Sequence, residues 1–405
     1  MTRHSRTGTG GLSASTLLPC LPLLLALLHA SAGIAHAEDT FTIGYLELKG
    51  DARYKEKRLF ARYLGQPLGR PYAGAEVAIR EVRFHGTELG LGFALEKVEA
   101  ETPAGLQPAL EAMQARGIRF VAVDLPAEQL LPLAQSQRGK AVVLFNVSAP
   151  EDRLRGEDCQ PNLYHTLPSQ AMLYDALAQY LVSRKWRNIL ELTGPEPEDQ
   201  ALSAAFARSA RKFGLRISAQ RPFELGNDPR DRSRNNIALL SGGDHDAIFV
   251  ADARGEFARS VPYQTRNPDL IVGSEGLAPM AWHWSWERYG APQLEKRFEK
   301  MHQRPMTGTD WAAWIAIKSV AESVQATRST DVATISAKMT APDTLYDNFK
   351  GTAGGFRAWD HQLRQPVLLA THNWVVERTP LDGFLHQTNT LDSIGVDERE
   401  SRCRF

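Results

Sequence analysis

The feature that most constrains this chain is a strand–helix alternation that runs through it twice. In the first series, apolar runs at 41–49, 91–98, 118–123 and 141–145 alternate with helical patterns at 70–84, 106–116 and 127–137. In the second, strands predicted at 188–192, 215–220, 247–250 and 270–272 interleave with helices at 169–184 and 199–213. Ser169 stands where it caps the first of these helices, and Gly214 where it ends the second. Short connections between alternating elements predict parallel sheets with right-handed crossovers. The predicted fold class is therefore α/β, with two doubly wound lobes, the second built on the plan of the first. A length of 405 residues agrees, because one core rarely serves so long a chain.

Beyond residue 277 the texture changes. Residues 281–286 read Ala-Trp-His-Trp-Ser-Trp, helices are predicted at 293–302, 310–325 and 331–339, and short strands at 349–351, 354–356 and 366–371. Two of the three tryptophans are expected to pack a junction between domains while the third shields it. The alternative is an aromatic platform for a sugar or a cation. The polar segment 226–236 reads as a surface loop.

The first 37 residues carry Arg3 and Arg6 as their only charged side chains, an apolar stretch at 17–28, and Ala35-His36-Ala37 before Glu38. That is the pattern of a secretory signal peptide over 1–37. The apolar stretch is short beside the roughly 20 residues of a membrane span. Cys20 lies inside it after Pro19, which argues against a lipidation site. The mature chain is predicted to be exported, with no membrane insertion. Lys+Arg and Asp+Glu are equal at 47 each, so no basic excess points to nucleic acid.

Export leaves two cysteines, Cys159 and Cys403, in an oxidising compartment, and a disulfide between them is expected. It would tie the tail to the loop after the strand at 141–145. The alternative is two unpaired thiols on a loose tail, because the residues after 391 have little apolar content to order them. Neither cysteine has a partner at metal-ligand spacing. A nucleophile elbow, a phosphate loop, a zinc-protease motif and a complete dinucleotide fingerprint are all missing from the sequence. An enzyme would need a constellation of that kind, so no catalytic residue, cofactor or metal is expected. Asn146-Val147-Ser148 matches a glycosylation sequon, a pattern short enough to occur by chance.

What the strand ends do carry is small polar or acidic side chains: Asn146 and Ser148, Asp252, and Ser274 with Glu275. In open α/β sheets, ligands are met beyond the carboxyl ends of strands. A hydroxyl or amide there can hold a carboxylate or carbonyl, and a carboxylate can hold an ammonium or hydroxyl.

Around these residues, over 40–375, the chain resembles the periplasmic solute-binding proteins of ABC transporters of the leucine/isoleucine/valine-binding type. Asn146-Val147-Ser148-Ala149-Pro150 is similar to the family's Ser-Ala-x-Pro turn, and Asn162-Leu163-Tyr164-His165-Thr166 with Pro168-Ser169 to its first crossover. Val272-Gly273-Ser274-Glu275-Gly276 resembles its Gly-x-Glu-Gly, and the Phe349-Lys350-Gly351 stretch its late turn back between lobes. Arg364-Gln365-Pro366 and the Cys403 tail look closer still to a subgroup associated with PQQ-dependent alcohol dehydrogenase systems.

The resemblance implies two lobes joined by three crossovers, a hinge, and a solute held in the cleft. Lobe 1 would be 38–165 plus 280–342, and lobe 2 would be 166–279 plus 343–405. It places Ser148 on the ligand's carboxylate, Asn146 beside it, Glu275 on an ammonium, and Asp252 where an aromatic residue is usual. Tyr45 and Asp124 complete the ligand-binding set. Asp124 departs from the hydroxyl that amino-acid binders offer, and an acid there would repel a carboxylate. A neutral, hydroxylated or cationic solute is therefore expected. The implied function is the periplasmic substrate-binding component of an ABC transporter, a monomer capturing a small solute in the cleft between its lobes for a permease, with a link to PQQ-dependent alcohol oxidation. The alternative is a sensor or accessory protein of an alcohol-oxidation system.

Overall fold

Central strands of a parallel sheet are covered on both faces, and this chain supplies them as near-continuous apolar runs. The computed structural model describes residues 39–55, 68–225, 230 and 233–405, so the signal peptide expected at 1–37 and part of the 226–236 loop lie outside the described residues. The first series runs β1 (Asp39–Leu48), α1 (Tyr72–Val82), β2 (Leu91–Ala100), α2 (Leu106–Ala115), β3 (Phe120–Asp124), α3 (Ala127–Ser136), β4 (Val143–Asn146) and β5 (Leu163–His165). Its strands form one parallel sheet in the order β2-β1-β3-β4-β5. Along β1, Ile43 and Tyr45 enter one core while Leu46 and Leu48 enter the other, the two-residue period of a strand. The alternating sequence of this strand reads as one buried and one wet face. Instead everything from Ile43 to Leu48 is buried, because β1 lies inside the sheet between β2 and β3. Glu47 is thereby carried into the interior.

The second series runs α4 (Gln170–Ser183), β6 (Asn188–Thr193), α5 (Pro197–Phe213), β7 (Arg216–Pro222), α6 (Ile237–Leu240), β8 (Ala247–Ala251), α7 (Val261–Gln264) and β9 (Leu270–Gly273). Its parallel sheet has the order β7-β6-β8-β9, with a core on each face. Ser169 Oγ accepts from Met172 N and caps α4, as the sequence predicts. Gly214 ends α5 at φ +70°, in the left-handed region that favours glycine. α5 starts at Pro197 rather than Asp199, because Glu196 and Asp199 form a reciprocal capping box around its first turn.

A small antiparallel sheet follows, β10 (Ala278–Met280), β11 (Val367–Ala370) and β12 (Val375–Thr379), with α8 (Ala291–His302), α9 (Gly308–Thr327) and α10 (Val332–Thr340) between β10 and β11. α9 packs on α1 over the first sheet, whereas α4 packs on α5, β10 and β11. The chain thus crosses between the two parallel sheets three times: at 166–169, after β10, and between α10 and β11. On β11, Val367 and Leu369 face the α4 core while Leu368 and Ala370 face the core of Trp282 and Trp311. Trp282 and Trp286 are buried in that core and Trp284 is 45% exposed, which is the packing arrangement expected of the cluster. Residues 349–356 form no strands. Gly351 turns at φ +87°, and only the isolated bridges Tyr346–Gly354 and Phe356–Leu363 remain. Among the described residues no helix is long and apolar enough to cross a membrane.

Buried polar side chains join the three crossings. Lys350 Nζ donates to Ala281 O and to Gln365 Oε1, both at 2.8 Å, and lies 3.5 Å from the Trp311 ring centroid. Gln365 Nε2 donates in turn to Thr166 O at 2.7 Å. Alongside, Arg155 donates to Leu167 O and Gln362 Oε1, and Gln362 Nε2 donates to His165 O. The Lys350 hydrogen-bond acceptors are neutral, and burial pushes its ammonium well below the ordinary 10.5. A base with a lowered folded pKa is most stabilising above its unfolded value and loses that contribution as pH falls. The stability of the wild type relative to Lys350→Met should therefore rise as pH is taken from neutral toward 10.5, read as the gap between their melting temperatures. A gap independent of pH would mean that Lys350 does not titrate in this way.

Candidate functional site

In the first sheet the chain leaves β1 in one direction for β2 and in the other for β3, so the crevice between β1 and β3 is the topological switch point. Glu47 of β1 and Asp124 of β3 are paired neighbours in that register, and both are fully buried. Two adjacent interior carboxylates need cations, and loops on either side supply them. Arg53, just beyond β1, donates through Nη2 to Asp124 Oδ1 at 2.8 Å and to Asp51 Oδ2 at 2.6 Å. Its Nη1 donates to Ser148 Oγ at 2.9 Å, and Tyr54 OH donates to Asp124 Oδ1 at 2.9 Å. Arg70 Nη2 donates to the Leu48 and Lys49 carbonyls, while its Nη1 lies 3.5 Å from Glu47 and 3.9 Å from Asp124 Oδ2. Lys97 Nζ is 3.0 Å from Glu47 Oε1.

These groups are not all satisfied. Tyr45 OH, both Glu47 oxygens, Asp124 Oδ2 and Arg70 Nη1 are buried without a hydrogen-bond partner. The Lys97 and Arg70 approaches to Glu47 are ion pairs outside hydrogen-bonding geometry. Burial raises the Glu47 carboxyl to about 7, opposed only in part by Lys97 and Arg70. Burial and the nearby Asp124 charge raise Tyr45 well above 10.0. Asp51 is pushed up by burial, yet its hydrogen bonds to Arg53 prevail and hold it below its ordinary value. Asp51, Asp124, Glu99 and Glu47, the last titrating at about 7, thus face Arg53, Arg70 and Lys97, whose Nζ lies 2.6 Å from Glu99, and the cluster carries little net charge.

The other residues of the ligand-binding set are differently placed. Asn146 is buried, its Oδ1 accepts from Ser148 N and Ala149 N, and its Nδ2 donates to Ala149 O at 2.7 Å and approaches His165 Nδ1 at 3.0 Å. Its amide is spent on the turn that presents Ser148. At the second sheet, Asp252 accepts four backbone N–H groups, from Arg254, Gly255, Phe257 and Ala258. Ser274 Oγ accepts from Asp252 N. Glu275 sits in a turn whose Gly276 has φ +74°, and a Cβ there would meet Ile271 O at 2.2 Å. Its Oε1 accepts from Gly276 N and pairs with His372 Nε2 at 2.7 Å. The structure therefore gathers Tyr45, Asp124 and Ser148 in one cluster, sets Asn146 behind Ser148 in the turn that presents it, and holds Asp252 and Glu275 in separate local networks.

Sequence reasoning did not single out Glu47, Asp51, Arg53, Tyr54, Arg70 or Lys97. The rule that drew attention to 146, 252 and 275 also applies to the end of β1, and there it leads directly to Asp51 and Arg53. Among the described residues no group of three or more His, Cys, Asp and Glu is placed to hold a metal. The expected disulfide is present between Cys159 and Cys403. The tail is ordered by more than this bond: Asp392 is buried between Arg357 at 2.8 Å and Arg364 at 2.9 Å, and Ile394 enters the α4 core.

The fold is that of the type I periplasmic binding proteins, two doubly wound α/β halves joined by three crossings. A branched chain amino acid ABC transporter periplasmic ligand-binding protein from Burkholderia xenovorans is similar over 89% of this chain and 98% of its own, at 14% identity and TM-score 0.67. An ABC transporter substrate-binding protein from Sphaerobacter thermophilus aligns over 84% and 98%, at 13% identity and TM-score 0.68. A solute-binding protein of an ABC transporter from R. palustris, solved with benzoate, aligns over 90% and 100%, at 13% identity and TM-score 0.60. No protein-family model matches the chain, and no curated protein sequence matches it.

A carboxyl whose folded pKa is raised contributes most stability below its unfolded value and loses it as pH rises through the folded one. Glu47→Gln removes that titration. Its melting temperature relative to wild type should therefore climb between pH 4.5 and about 7 and level off above, in a calorimetric pH series.

Proposed function

We propose that this protein is a non-catalytic, exported solute-binding component of an ABC transporter, closing its two lobes on a small solute and presenting it to a permease. The lobes are those read from the sequence, 38–165 with 280–342 and 166–279 with 343–405. The shared fold supports this reading, as does the resemblance of solved relatives described as ligand-binding proteins. The signal-peptide pattern at 1–37 and the Cys159–Cys403 bond support a periplasmic address.

The observation that carries the proposal is the switch-point cluster. It sets buried polar atoms without partners, Tyr45 OH and Asp124 Oδ2 among them, beside Arg53, whose side chain is 26% exposed. Orphaned buried atoms occur elsewhere in the molecule, but here Tyr45 OH, both Glu47 oxygens, Asp124 Oδ2 and Arg70 Nη1 gather at one strand end, where a ligand could complete them. Balanced charge favours a neutral, hydroxylated solute over a free carboxylate. The residues behind the finer resemblance, Arg364, Gln365 and Cys403, are engaged with Asp392, Lys350 and Cys159. Those contacts hold the scaffold, so the proposed link to PQQ-dependent alcohol oxidation rests on the sequence resemblance alone.

A thermal-shift screen across alcohols, acids, amino acids and polyamines tests the function. At least one hydroxylated compound should raise the melting temperature in proportion to the logarithm of its concentration. No stabilisation by any class would overturn the proposal. For a hit, Asp124→Asn should weaken binding at least tenfold by calorimetry. Arg53→Ala, which uncovers Asp51 and Asp124, should shift preference toward the polyamines.

A further inference from the structure

The C-terminal segment runs from one half of the molecule to the other. Gly395 is held on the helices of the second sheet: its N–H donates to Asp175 of α4 at 2.9 Å, and its carbonyl accepts from Lys212 of α5 at 2.7 Å. Gln179 of α4 donates to Ser393 just before it. Past 402 the segment is bonded, through Cys403, to Cys159 in the loop between β4 and β5 of the first sheet. Phe405 then stacks on His361 at 4.3 Å, and His361 on Tyr164 of β5 at 4.1 Å. Under the span lies a groove of about 690 Å³, lined by Glu128 of α3 and Arg153 on one side and by Glu198 and Arg208 of α5 on the other. Arg208 pairs with Asp152 across it.

A segment fixed at both ends on different halves lets them separate only as far as its own extended length. Residues 396–402 have no regular secondary structure to unwind beyond turns, and both cysteines are buried. We propose that residues 396–402 are a covalent strap that limits how far α5 can swing away from α3 and the β4–β5 loop, and so sets the open limit of the molecule. The strap rests on the two-lobe reading above but not on the identity of any solute. Its length, rather than the strength of its contacts, is the controlling quantity.

The test lengthens the strap without cutting it. A Gly-Gly-Ser insertion between the exposed Glu398 and Arg399 leaves the disulfide and both anchors in place. Spin labels attached at positions 128 and 198 through non-cysteine chemistry report the distance across the groove. In the ligand-free insertion variant that distance should broaden and shift outward by several Å, within the roughly 10 Å that three added residues span. Reducing the disulfide of the uninserted full chain should produce the same shift. Distance distributions that superimpose on the wild type in either experiment overturn the strap. Such a result would leave the solute screen untouched, and a failed screen would leave the distances readable, so the two proposals fall separately.

Discussion

Lys350 is the group on which the relation between the two halves depends. Its amine is fully buried, its acceptors are a backbone carbonyl and a glutamine, and the face of Trp311 covers it. Through Gln365 it reaches the first crossing, through Ala281 the second, and it stands on the third. Apolar packing alone fixes distance but not register, whereas directed hydrogen bonds fix both. Three strands of connection passing one point could slide on a greasy surface, and these are pinned instead. The neighbouring Arg155–Gln362 pair repeats the device, so the crossings are joined by donors and acceptors that have no other outlet in the interior.

The two parallel sheets use the same plan to different ends. At the second sheet the polar strand ends are closed locally, most fully at Asp252, where four backbone N–H groups share one carboxylate. At the first sheet the equivalent positions are held by side chains that come from Asp51, Arg53, Arg70 and Lys97, separate stretches of the chain, and several atoms stay unpaired. Local saturation makes a rigid turn, while dispersed and incomplete pairing leaves buried polar atoms without partners. The chemical asymmetry of the halves follows from where each carboxylate finds its partners.

Most of the scaffold was legible because its signals are local. The apolar runs of β3 and β8, the Ser169 cap, the Gly214 stop and the count of cysteines beyond residue 37 each depend on a few adjacent residues or on arithmetic. What escaped depends on neighbours in space. β1 reads as half wet until its place between β2 and β3 is known, and β12 is a short edge strand flanked by the exposed Trp374 with Val376 also exposed. The 349–356 segment has the composition of strands, but Gly354 lies so close to Arg364 O that a Cβ would meet it at 1.7 Å, and the backbone passes without a ladder. In the cluster, Glu47 meets Asp124 because of sheet register, and Asp124 meets Arg53 because of loop course. No spacing in the sequence announces either.

The Cys159–Cys403 bond joins residues 244 positions apart and closes a ring that encloses the whole second sheet, the antiparallel sheet and the helices between them. A protease that reaches the folded chain meets exposed loops within that ring. One cut anywhere inside it opens the ring into two arms that remain parts of a single molecule, so neither piece can diffuse away. The nicked chain keeps its halves at high effective concentration and can re-form its interior contacts, provided the cut falls in a surface loop. Separating the pieces of a chain cut within the ring therefore requires two cleavages, or one cleavage together with reduction.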